Sequence, residues 1–96
     1  MKPEEAHALL DAHIDQFTLV NTHDLREGDI IRAHGMVLRI GAKQISDKGA
    51  HADNGYGCAH YHLSEILAAV EGMPQPGTRL WNVQGNRLAK WSKFNG

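Results

Sequence analysis

This chain of 96 residues holds one cysteine, Cys58, so it can form no internal disulfide. A fold that does without that staple fits a reducing compartment. No apolar run approaches the roughly 18 residues that a spanning helix needs. The N-terminal MKPEEAHALLDAH carries Glu and Asp where a secretion leader would be apolar. The expected location is therefore the cytoplasm, with no membrane partner. Aromatics are scarce, at two each of Trp, Tyr and Phe, so a core must draw mainly on Leu, Ile, Val, Met and Ala. No glycine-rich phosphate loop occurs, and Gly85-Asn86 lacks the setting of a dinucleotide fingerprint. Net charge is only −1, yet it is unevenly spread. Residues 1–17 set Glu4, Glu5, Asp11 and Asp15 against Lys2, while residues 79–96 hold Arg79, Arg87, Lys90 and Lys93 without an acid.

What is present reads as one domain, with an N-terminal helix over 1–17 and a β-rich body over 18–96. Pro3 suits a first helical turn, and Glu4 and Glu5 suit its dipole. Ala6, Leu9, Leu10, Ile14 and Phe17 recur at helical spacing, which predicts a helix over 3–16 with one buried stripe. Ile30–Ala33 and Met36–Ile40 flank His34-Gly35, a pattern for a tight β-hairpin. Tyr56–Leu63 reads as a strand. Ser64 then starts a predicted short helix to Val70, with Leu63, Ile66, Leu67 and Val70 on its inner face. Two apolar runs around Gln84-Gly85-Asn86 predict a closing hairpin over 78–94. These elements sum to an α+β fold: a small, strongly bent antiparallel sheet or SH3-like partly open barrel, with the N-terminal helix packed on it.

Two blocks resemble small uncharacterised proteins encoded by phages and prophages. One is Asn21-Thr22-His23-Asp24-Leu25 followed by Gly28-Asp29-Ile30-Ile31. The other is Leu80-Trp81-Asn82-Val83-Gln84-Gly85-Asn86 with Leu88-Ala89 and Trp91. The resemblance covers under half the chain. It implies an accessory protein acting in a bacterial host by binding a host protein, for example as an inhibitor of a defence system such as CRISPR or restriction. It implies no reaction and no cofactor.

The residues themselves offer three candidate chemistries. Cys58, His60 and His62 alternate along one strand and are candidate metal ligands. At about 3.3 Å per residue, the first and third stand about 13 Å apart, too far to share one ion without a bend. The simpler expectation makes them the wet face of the strand, with Ala59, Tyr61 and Leu63 pointing inward. Catalysis by Cys58 and His60 lacks any oxyanion donor or cleft in the sequence, so the chain is not expected to be an enzyme. Binding is the stronger expectation, through Trp81, Gln84, Asn86, Arg87, Lys90 and Trp91, since Trp and Arg are favoured interface anchors. A host protein is the expected partner, and a homodimer would use the same features. The alternative is a nucleic-acid-binding small barrel with a basic, Trp-containing C-terminal hairpin, although the slight overall acidity argues against it.

Overall fold

The first helix stops well short of its predicted end. In the computed structural model, which describes residues 1–45, 60–85 and 89–96, α1 spans Pro3–Leu9. Successive turn bonds to His7, Ala8 and Leu9 carbonyls tighten the chain beyond it, and a 3-10 turn follows at Ile14–Gln16. Phe17 does not close the helical stripe. It opens strand β1, Phe17–Asn21, where its Cα partner is Phe94. A helix extended to Phe17 would sacrifice that ladder, so tertiary pairing overrides local spacing. Ile14 is left exposed. Carbonyls at the end of α1 and in the turn after it are met by Arg32. Its Nη1 donates to Leu9 O at 3.0 Å and to Ala12 O at 2.6 Å, and its guanidinium lies 4.2 Å from the centre of the Phe17 ring. A cation there suits both these carbonyl acceptors and the negative end of the helix dipole.

Strands β2, Ile30–Ala33, and β3, Met36–Arg39, form the expected hairpin. Both turn residues are left-handed, His34 at φ 55° and Gly35 at φ 74°, which matches the twist of the two strands. β4, Lys43–Ile45, continues from β3 after a break at residues 40–42.

The helix predicted after Ser64 is absent. A single strand, β5, runs His60–Ala69. Its pairing with β3 shifts register: Leu38 faces Ile66 and Val37 faces Ala68, leaving Leu67 unpaired as a bulge. The extra residue changes which side chains point inward. His62, Ser64 and Ile66 are buried on the inner face, and beyond the bulge Ala69 takes that role. Leu67 and Ala68 both meet the outer cluster instead. This interrupted alternation produces the three-and-four spacing that resembled a helix.

β6, Leu80–Gln84, and β7, Lys90–Phe94, are strands as expected, but they do not form a hairpin with each other. β6 pairs with β5, and β7 lies between β1 and β2. Among the described residues the result is an open seven-stranded antiparallel sheet ordered β1-β7-β2-β3-β5, with β4 and β6 also on β5. β4 joins the edge of β5 that carries β3, and β6 lies along the other.

The sheet has two apolar faces. The inner one holds Leu25, Ile31, Met36, Leu38, Ile40, Ile66, Ala69 and Val83. On the outer one, Ala6 and Leu9 of α1 pack with Phe17, Val37 and Ala68. Met36, Leu38 and Ile40 thus share one side and Val37 and Arg39 the other, as alternation predicts. The α+β class and the N-terminal helix agree with expectation.

Candidate binding surface

His62 and Leu63 face the opposite way from their expected orientation. His62 is 1% exposed and Leu63 is 47% exposed. His62 Nδ1 stands 2.8 Å from Gly41 O. That carbonyl can only accept, so Nδ1 carries the proton. Ser64 Oγ donates to His62 O at 3.1 Å and accepts from Gly41 N at 3.3 Å. These bonds tie β5 to the break between β3 and β4. A Cβ on Gly41 would stand 2.0 Å from Leu63 O, so only glycine fits this crossing. That backbone demand is not legible in the residue pattern, and polarity alone pointed His62 at water. Inside, its polar atom meets a main-chain partner, which is what burial of such a group requires. Although Ser64 lies two residues from His62, its hydroxyl bonds backbone groups and not the imidazole. Cys58 and the side chain of His60 lie outside the described residues. Among the described residues, no three His, Cys, Asp or Glu side chains are grouped to hold a metal ion.

The six expected binding residues divide between places. Trp81 and Trp91 are half-buried and pack against the inner cluster. Gln84 and Lys90 are exposed on their strands. Gln84 accepts from Asn82 Nδ2 at 2.7 Å, and Lys90 Nζ donates to Asn21 Oδ1 at 2.5 Å. Asn86 and Arg87 lie outside the described residues.

Trp81 and Trp91 come from strands that are not paired with each other, yet both reach the same imidazole. The ring of His34 is centred 5.9 Å from that of Trp81 and 6.1 Å from that of Trp91. Trp91 is pinned, because its Nε1 donates to Thr22 Oγ1 at 2.7 Å and Thr22 N donates to Ala89 O at 2.9 Å. Arg79 Cζ lies 5.5 Å from the Trp81 ring centre. His34 is exposed at the hairpin tip. Its place between two indoles was not legible in the sequence, because those neighbours are distant along the chain.

A second feature lies on the outer face of β5 and β6. Leu63 faces Asn82, and Leu80 faces Glu65. The two leucines are therefore diagonal cross-strand neighbours, about 7–8 Å apart by standard sheet geometry. They are 47% and 51% exposed. Tyr61 and Gln84 share this face by alternation, and the Arg39–Glu65 ion pair, at 3.0 Å, separates it from the part under α1. Neither leucine was singled out for binding in the sequence, where Leu63 was expected to point inward. Comparison with protein-family models, characterised proteins and solved structures found no match to this chain. No described helix is long and apolar enough to cross a membrane.

Proposed function

We propose that this is a phage- or prophage-type accessory protein that acts by non-enzymatic binding to a host protein in the bacterial cytoplasm, with inhibition of a defence system such as CRISPR or restriction as its purpose. The observation that carries the binding assignment is the pair Leu63 and Leu80. They stand bare on a sheet face whose other half is sealed by α1. Adjacent exposed leucines bordered by Tyr61, Asn82 and Gln84 have the make-up of an apolar contact centre with a polar rim. The phage assignment is supported by the two sequence blocks at 21–31 and 80–91. The fold reading includes an SH3-like partly open barrel, supported by the meeting of Trp81 and Trp91 at His34 from unpaired strands.

A photo-crosslinking amino acid at position 82 tests the proposal, with one at the exposed Glu5 of α1 as control. In host lysate, position 82 is expected to yield one discrete adduct with a host protein, and position 5 none. Leu63→Ser with Leu80→Ser should abolish that adduct. Equal labelling from both positions, or an adduct containing only a second copy of this chain, would overturn the host-protein assignment.

A further inference from the structure

We propose that the Arg79–Trp81–His34–Trp91 cluster is a separate site for single-stranded nucleic acid, where an unstacked base rests on the His34 and Trp81 rings and Arg79 takes the adjoining phosphate. The site lies on the inner side of the sheet, away from Leu63 and Leu80, and does not depend on the host-protein assignment. Three observations carry it. First, the rings are already held in place. Trp91 is fixed through Thr22, Trp81 is part of the β5–β6 ladder, and His34 sits in a two-residue turn. Rings that are ordered before binding lose little freedom on binding.

Second, His34 occupies a left-handed position that Asn or Gly would fill with less bulk. The turn does not require a ring, yet a ring stands exposed between two indoles. Third, Arg79 has no carboxylate partner among the described residues. It donates through Nε to Leu80 O at 3.3 Å, and its guanidinium lies over the Trp81 ring, 5.5 Å from its centre. It heads an 18-residue stretch, 79–96, that contains no acid. A cation beside stacking aromatics is the pairing by which single strands are held without sequence readout. The flat partner explains the rings, and its charge explains Arg79. An acidic protein segment would satisfy only Arg79.

The test is a tryptophan fluorescence titration of the full chain with an oligothymidylate and an oligouridylate of about 20 nucleotides, enough to span a small-domain site. At about 50 mM salt both should quench emission, with affinity falling as salt rises. His34→Asn preserves the turn and should weaken binding about tenfold, with the melting temperature unchanged. Arg79→Gln should reduce the slope of log affinity against log salt by about 1. Leu63→Ser with Leu80→Ser should leave the titration unaltered. Absence of quenching at about 50 mM salt, wild-type binding by both His34→Asn and Arg79→Gln, or full displacement of the oligonucleotide by oligoglutamate of matched charge would overturn the proposal. The last result would identify an acidic segment as the ligand.

Discussion

The two halves of the outer sheet face are made of similar residues and meet different fates. Under α1, Val37 is 0% exposed and Ala68 5%, with Ala6 and Leu9 packed on them. A few residues earlier on β5 and across to β6, Leu63 and Leu80 are half open to solvent. The difference is not hydrophobicity but the reach of a seven-residue helix, which spans only about 10 Å at 1.5 Å per residue. The bulge at Leu67 sharpens the contrast, because it turns two consecutive side chains, Leu67 and Ala68, toward the helix. The sheet thus has a sealed half that stabilises the fold and a bare half whose leucines contribute little to it.

Mutations separate these halves by size of effect. The largest loss is expected at the tie beneath the bare half. Gly41→Ala forces a Cβ to 2.0 Å from Leu63 O and disrupts the bonds that hold His62 and Ser64. We expect a loss above about 4 kcal/mol, in the range of exceptional single substitutions, seen in urea denaturation as little or no folded baseline. Next is Leu9→Ala in the sealed half. Removing a buried leucine there should cost about 2–5 kcal/mol, measured as a lower denaturation midpoint with an unchanged slope. Equal sensitivity at Leu80→Ala would erase the distinction between the halves.

Arg32→Lys should cost about 1–2 kcal/mol, because an ammonium cannot both lie flat over the Phe17 ring and reach the Leu9 and Ala12 carbonyls as the guanidinium Nη1 does. Amide hydrogen exchange should report it first in α1, with β5 and β6 unaffected. At the border between the halves, Glu65→Gln removes an ion pair whose side chains are 40% and 49% exposed. Its cost should stay below about 1 kcal/mol and shrink further in salt.

The same contrast explains how much of the molecule could be read from its residues. The β2–β3 hairpin was legible because His34-Gly35 encodes its turn and Met36, Leu38 and Ile40 alternate cleanly. The N-terminal helix was legible in its first two turns, where Pro3, Glu4, Glu5, Ala6 and Leu9 all agree. It was overextended because Phe17 fits a helical stripe as well as it fits a strand opposite Phe94, and only the distant strand decides between them. β5 was misread from Ser64 onward because a bulge breaks the two-residue period, and its partner, β3, lies more than twenty residues away. Strands β6 and β7 were found, but a turn-like Gln84-Gly85-Asn86 does not reveal that each strand pairs elsewhere. Of the binding candidates, Trp81 and Trp91 were legible as large aromatics. Their convergence on His34 was not, since it depends on two strands that do not pair with each other.

The most direct measurement joins both halves of the comparison in a single protein carrying Leu63→Ser and Leu80→Ser. Its urea midpoint should match the parent to within about 0.5 kcal/mol, as for surface changes, while the host-protein adduct from position 82 disappears. Retention of that adduct with both serines in place would contradict the account.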